Sequence, residues 1–311
     1  MGLVLCAGSV SADIVVRAAT MPNVPGLTLA SDLMRAPGGK AGNVAVMARR
    51  LGCDAVLWGC VGDDDLGELA VSGPRDAGVD VSHVRRATRP TGTALVTVLP
   101  DGDKSIVLTL GANDNWPGHA DSIASEIEQA ARDAAPDGVL VVDVESPPAI
   151  VAAALASAKR AGIRTILDPS PADRVTDEML AAADHVTPDH LEAGQLVGID
   201  VSSVEAAQRA GLELIDRGAG TAHVKLGGGG CVVMSHELSA VIDAARVRPV
   251  DTTGAGDAFA AGLAWTLLDG CDSVEATRFA VAAATYAVGI YGAQAAAPAR
   301  EDLAPLLGRI T

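Results

Sequence analysis

Short runs of apolar, β-branched residues take turns with alanine-rich stretches of helical period along most of this chain, and that alternation limits the folds open to it. Residues 3–10, 55–61, 138–144, 165–167, 185–187 and 222–226 read as strands, and residues 41–51, 66–77, 148–161 and 204–217 as helices between them. The strand runs carry few polar residues, so both of their faces need cover. A mostly parallel sheet with helices on both sides supplies it, a three-layer α/β arrangement. Two stretches, 15–35 and 91–110, break the pattern. They hold alternating strands, such as 93–99 and 105–110 about the turn Asp101-Gly102-Asp103, and no helix. They predict a small sheet assembled from separated segments and emerging at the strand ends of the core, where ligands bind in open α/β sheets. We expect one domain over residues 1–311 with a discontinuous β lid from about 13–37 and 91–111. Helices 255–268, 274–290 and 300–309 close the chain.

Composition removes several classes of function. With 311 residues the chain buries a core without disulfide staples. The cysteines Cys6, Cys53, Cys60, Cys231 and Cys271 contain no C-x-x-C pair and read as reduced core residues. His185 and His190 miss the i,i+4 spacing of a helical zinc site. No apolar run approaches the roughly 20 residues of a membrane span, and residues 1–11 lack the basic start of an export signal. A cytoplasmic protein is expected. The formal net charge of −16 repels polyanions, so nucleic acid is not an expected partner. The same charge demands that any phosphate ligand be met locally by backbone N–H groups, a lysine and a divalent cation.

Four clusters could meet that demand. Val250-Asp251-Thr252-Thr253-Gly254-Ala255-Gly256-Asp257-Ala258-Phe259 turns straight into an apolar helix. Glycines there let backbone N–H groups aim at an anion, and the helix dipole adds positive charge at the same point. Asp257, in the first turn, can face that pocket and take a proton from an attacking hydroxyl. The plainer reading is a tight turn with an acidic helix start. Pro37-Gly38-Gly39-Lys40-Ala41-Gly42-Asn43 mixes donors and acceptors suited to a polyol. It is no Walker A loop, because Met34 and Ala41 stand where that motif needs Gly and Ser or Thr. It also fits a simple hinge. Lys225-Leu226-Gly227-Gly228-Gly229-Gly230 follows a strand and suits either a nucleotide-wrapping loop or a hairpin turn. Asp189 and Glu192, three apart at a helix start, fit a magnesium shell or a capping box. Ser11 and Asp13 after the first strand, and Glu145 at the end of another, are candidate hydroxyl binders or solvated side chains.

Taken in order, the clusters resemble the ribokinase family of PfkB-type carbohydrate kinases over nearly the whole chain, from Gly8-Ser-Val-Ser-Ala-Asp13 to Gly292-Ala-Gln-Ala-Ala-Ala-Pro298. The most specific pieces are Gly38-Gly39-Lys40 with Asn43 and the signature-like Asp251-Thr-Thr-Gly-Ala-Gly-Asp257. The resemblance implies the ribokinase-like fold, with Asp257 as general base and Gly254, Ala255 and Gly256 as an anion hole. It implies sugar contacts at Ser11, Asp13, Gly39, Lys40, Asn43 and Glu145. ATP contacts would fall at Asp189, Lys225, Gly227, Gly228, Gly230 and Gly256, with Mg²⁺ organised through water by Glu192. A monovalent cation, usually potassium, would sit at Asp251, Thr253, Ala287, Ile290, Gly292 and Ala296. Three positions depart from the ribokinase branch, which usually has Asn at Ser11 and Asp189 and Ser at Ala296.

Neither lid segment holds an aromatic residue, which leaves Trp116 as the candidate base stacker and favours a small polyol over a nucleoside. The Gly111-Ala-Asn113 segment, which also resembles ribokinases, favours a pentose over fructose or a phosphorylated hexose; fructose, a keto-deoxy sugar acid or a nucleoside are the alternative acceptors. Exposed lid strands suggest a homodimer through the lid. Two other classes are weighed: a non-catalytic sugar or nucleotide sensor, against which the intact Asp257 cluster argues, and a dinucleotide-dependent oxidoreductase. The latter lacks its G-x-G-x-x-G in the first βα turn.

Overall fold

The computed structural model describes residues 2–22 and 25–310; Asn23 and Val24, inside the first expected lid stretch, lie outside the described residues. The first half runs β1 (Leu3–Ala7), β2 (Ser11–Ala18), β3 (Ala30–Gly38), α1 (Lys40–Arg50), β4 (Asp54–Gly62), α2 (Asp65–Asp76), β5 (Val84–Ala87), β6 (Gly92–Val98), β7 (Lys104–Thr109) and α3 (Ala120–Ala134). Then follow β8 (Gly138–Asp143), α4 (Pro148–Ala161), β9 (Arg164–Asp168), α5 (Asp177–Ala182), β10 (His185–Val186), α6 (His190–Val197) and α7 (Val204–Asp216). The chain closes with β11 (Thr221–Lys225), β12 (Cys231–Met234), β13 (Ser239–Ile242), α8 (Ala255–Leu268), α9 (Ser273–Ala287) and α10 (Arg300–Leu307).

The large sheet has the order β13-β12-β11-β10-β9-β8-β1-β4-β5, parallel except for the antiparallel pairs that β12 makes with its two neighbours. Its buried strands show why cover is needed on both sides. In β1, Val4 and Cys6 point into the layer made by α1, α2, α8, α9 and α10. Leu5 and Ala7 point into the layer made by α3 to α7. The larger of these, Val4 and Leu5, are fully buried and each contribute about 1.5–3 kcal/mol. The chain winds from β1 outward to β4 and β5, then returns to β8 and winds outward the other way. Strand order therefore reverses between β1 and β8, and the crevice beyond their C-terminal ends is where an open α/β sheet takes its ligand.

The small sheet has the order β3-β2-β6-β7 and draws its strands from two separated parts of the chain, as expected. Ser11 and Asp13 stand in β2, so they are presented by the small sheet itself and not by a loop after the first strand. Helix α3 and strands β5, β12 and β13 were not foreseen, and the helix expected to reach residue 290 ends at Ala287. Helix α8 is buried on nearly every side, with Ala258, Ala260, Ala261 and Leu263 fully enclosed. Its polar N-terminus is thereby held inside the protein. Among the described residues no helix is long and apolar enough to cross a membrane.

Candidate active site

A cavity of about 1000 Å³ opens between the small sheet and the C-terminal ends of the parallel strands. At its centre is the mouth of α8. Gly254 caps the helix in the left-handed region (φ 81°), and no side chain takes up the first-turn amides. A Cβ on Gly254 would lie 2.8 Å from that of Ala293, so only glycine fits the turn. Those N–H groups lack intrahelical acceptors; the Ala255 N–H makes one long bond to the Thr252 carbonyl at 3.4 Å, and Gly254, Ala255 and Gly256 all line the cavity. Asp257 sits in the same first turn, buried, with its Oδ2 accepting from Asn43 Nδ2 at 2.7 Å. Lys225 Nζ comes within 3.3 Å of where a Gly256 Cβ would stand, which puts an ammonium beside the amides. The tight turn and the candidate anion hole are one structure.

The candidate polyol cluster likewise joins the small sheet to the core and lines the cavity. β3 ends at Gly38 and α1 begins at Lys40, with Gly39 between them at φ 88°. A Cβ on Gly38 would collide with the Asp13 carboxyl at 2.2 Å, so the missing side chain makes room for that acid. Lys40 donates through its backbone N–H to Ser9 Oγ (2.9 Å) and through Nζ to Asp168 Oδ2 (3.2 Å). Asp143 Oδ2 accepts from the N–H groups of Ser9 (2.9 Å) and Ala41 (3.2 Å), joining the end of β1 to the start of α1. Ser11 Oγ accepts from Asn113 Nδ2 at 2.9 Å, while Asn113 Oδ1 accepts from the Val10 N–H at 3.0 Å. The hydroxyl at Ser11 is therefore fixed by a neighbouring amide.

Burial, followed by the charges of Asp257 and Glu145, pushes the Asp13 carboxyl up to about 7. Burial also raises Glu145 and Asp168. Burial works against the Lys40 charge, but Asp168, then Asp257, Glu192 and Glu145, hold its ammonium well above the ordinary lysine range. The result is a fixed positive charge beside an Asp13 carboxyl that can donate as well as accept near neutral pH, a mixture that suits sugar hydroxyls.

On the other side, residues 227–230 form the hairpin turn between β11 and β12, closed by Leu226 N–H to Gly230 O at 3.0 Å, and the turn lines the cavity. Asp189 and Glu192 build the reciprocal capping box of α6, each carboxylate accepting a backbone N–H at 2.8 Å. Burial pushes Glu192 up, but Lys225 and Lys40 outweigh it and hold the carboxylate low. Each of the two acids still has a second oxygen. Among the described residues no group of three or more His, Cys, Asp or Glu side chains could cage a metal. The aromatic expectation is corrected. Trp116 is buried among the helices beneath the sheet and does not line the cavity, whereas Phe259 of α8 does.

Asp251, Ala287, Ile290, Gly292 and Ala296 stand behind the cavity wall. Asp251 is fully buried, with Oδ1 accepting from Thr253 N–H (2.8 Å) and Oδ2 from Gly292 N–H (3.0 Å). The carbonyls of Ala287 and Gly292 accept from Ile290 and Ala296 N–H groups. Thr253 Oγ1 is buried without a partner, a lone oxygen of the kind a small cation satisfies.

Sequence reasoning passed over Asp168, Asp143 and Lys104. Asp168 and Asp143 end strands as Glu145 nearly does, and the same rule would have found them. Lys104 carries no such signal; its place depends on how the small sheet sits.

The fold and site define a phosphotransferase of the three-layer α/β type. Residues 1–300 match the pfkB family carbohydrate kinases, and the chain belongs to that family. It is 33% identical over 297 residues to a ribokinase of Haemophilus influenzae, covering 95% of each chain. It is 33% identical over 303 residues to a ribokinase of Bacillus subtilis, covering 96% of this chain and 97% of that one. The structure of an Arabidopsis thaliana ribokinase complexed with ribose and ATP superposes with a TM-score of 0.83, at 30% identity and 98% coverage of both chains.

Proposed function

We propose that this chain is an ATP-dependent kinase that transfers the γ-phosphoryl group to a primary hydroxyl of ribose or a related pentose. One observation carries the reading: the Asp257 carboxylate, the amides at the mouth of α8 and the polyol cluster share a single cavity. The sugar lies against Ser11, Asp13, Gly39, Lys40, Asn43 and Glu145. ATP lies along the β11–β12 turn, with Asp189, Lys225, Gly227, Gly228, Gly230 and Gly256 as its contacts. Asp257 accepts the hydroxyl proton as that oxygen attacks the γ-phosphorus in line and the bond to the ADP oxygen breaks. In a loose transition state the proton moves late, so a weak but well-placed base suffices. Amides of Gly254, Ala255 and Gly256, with Lys40, hold the charge on the transferring group.

When bound, Mg²⁺ supplies charge neutralisation for the phosphates, and Glu192 would meet it through water. Asp251 and Thr253, with carbonyls of Ala287, Ile290, Gly292 and Ala296, would hold a potassium ion. With alanine at residue 296 only its backbone can contribute.

The remaining parts of the reading are a single domain over 1–311 whose small sheet acts as a lid, a homodimer through that lid, and a cytoplasmic location supported by five unpaired cysteines. The acidic surface argues against nucleic acid as a partner. A phosphorylation screen of pentoses, hexoses and nucleosides, with ATP and with or without potassium, tests the activity. We expect pentose-dependent ADP formation; none across the whole panel would refute the proposal.

A further inference from the structure

Register puts three residues of the small sheet on one rung: Arg17 of β2 pairs with Val98 of β6, and Val98 pairs with Lys104 of β7. Paired residues share a face of the sheet, and this rung is the one that docks on the loops around the mouth of α8. The Arg17 guanidinium stacks 3.8 Å from the centre of the Tyr291 ring. Val98 is buried in the cluster against which Tyr291 packs. Lys104 Nζ donates to the Thr252 carbonyl at 2.9 Å, and Thr252 Oγ1 donates back to the Gly102 carbonyl at 3.2 Å. The approach is close: a Cβ on Gly102 would lie 2.9 Å from Pro249 Cβ.

Thr252 stands two residues before Gly254, and Asp251 before it is tied to Gly292. The loop held by Lys104 is therefore the one that runs into the anion hole. Lys104 also lines the cavity, together with Asp13, Lys40, Asp189 and Asp257. One N–H of its ammonium is used on Thr252, which leaves others available.

We propose that Lys104 is a positioning residue for phosphoryl transfer, through which seating of the small sheet over the sugar fixes the loop that aims the Gly254–Gly256 amides. The proposal rests on the kinase reading and deepens it. A misplacement of about 1 Å in such a site costs on the order of 100-fold in rate, so an effect through the loop is large enough to measure.

The test compares the full chain with its Lys104→Met and Lys104→Arg variants in steady-state sugar phosphorylation, alongside thermal midpoints. We expect the Met variant to lose kcat by about 30-fold, with both KM values within about threefold and an unchanged midpoint. The Arg variant, which can still reach Thr252, should recover most of the rate. A Met variant that does not fold is replaced by Lys104→Gln, read by the same criteria. A neutral variant within about threefold of the parent kcat, or an Arg variant as slow as the neutral one, overturns the proposal while leaving the kinase reading intact. An unaltered protein that phosphorylates no sugar would remove the kinase reading and this proposal with it.

Discussion

Asp257 Oδ2 is already engaged by the Asn43 amide, so the carboxyl is oriented before any substrate arrives. Replacing it with asparagine keeps an oxygen that can accept from Asn43 but removes the negative charge and with it the ability to take a proton. Asp257→Asn is therefore expected to fold and to keep its sugar KM while kcat falls by about 10²–10⁴. Steady-state kinetics beside a thermal midpoint measure this, and near-normal turnover would take Asp257 out of its role. This residue was legible in the sequence because its chemistry is local: glycines, a helix start and a carboxylate within one turn. The same holds for Lys40 and Asn43. Asp168 carried the strand-end signal but its partner was not legible, because the Lys40 ammonium it meets at 3.2 Å lies 128 residues away.

Strands β10 and β11 and helix α9 are tied by a buried chain of side chains, His185 Nδ1 to His223 Nε2 and His223 Nδ1 to Thr277 Oγ1, each at 3.0 Å. Thr277 Oγ1 donates to the Ser273 carbonyl, so it accepts from His223 Nδ1–H. His223 Nε2 is then an acceptor for His185 Nδ1–H, and both rings are neutral. Burial pushes His185 down to about 4 and His223 well below its ordinary value. An unfolded histidine binds its proton near 6.5, so below that pH the unfolded chain gains protons that the folded chain refuses. The stability each ring carries is intact above about 6.5 and falls with pH toward 4, by up to about 1.4 kcal/mol per pH unit. Buried acids such as Asp13, raised to about 7, tilt the opposite way. The histidine contribution is therefore read as a difference: His185→Gln should lose less stability than the parent between pH 6.5 and 4.5 in urea unfolding, and parallel profiles would refute the assignment. Long alanine-rich or continuously apolar runs, such as those of α4 and α8, were legible as helices from sequence alone. β5 was not: Val84-Arg-Arg-Ala87 has two arginines in four residues and becomes a strand only by pairing with β4.

Strand order decides where the crevice opens, and no local pattern in the sequence states that β1 lies beside β8. The same limit applies to what covers the small sheet. Register separates its faces: Ala94, Val96, Ile106 and Leu108 line the cavity, while Leu33, Leu95 and Val107 turn outward with 63%, 47% and 62% of their surface exposed. A sheet one layer thick cannot bury both of its apolar faces against one core, and the homodimer proposed above would cover the outer face with the same face of a second copy. Opposing this is a charge of −16 on each copy. Raising ionic strength from about 0.01 M to 0.15 M shortens the screening length from about 30 Å to 8 Å, which weakens that repulsion while leaving apolar burial intact. The dimer fraction should therefore rise with salt, and Leu95→Lys combined with Val107→Lys should give a folded monomer. Sedimentation velocity over a salt series measures both, and an unaltered protein that stays monomeric at every salt concentration rules out the lid as a dimer interface.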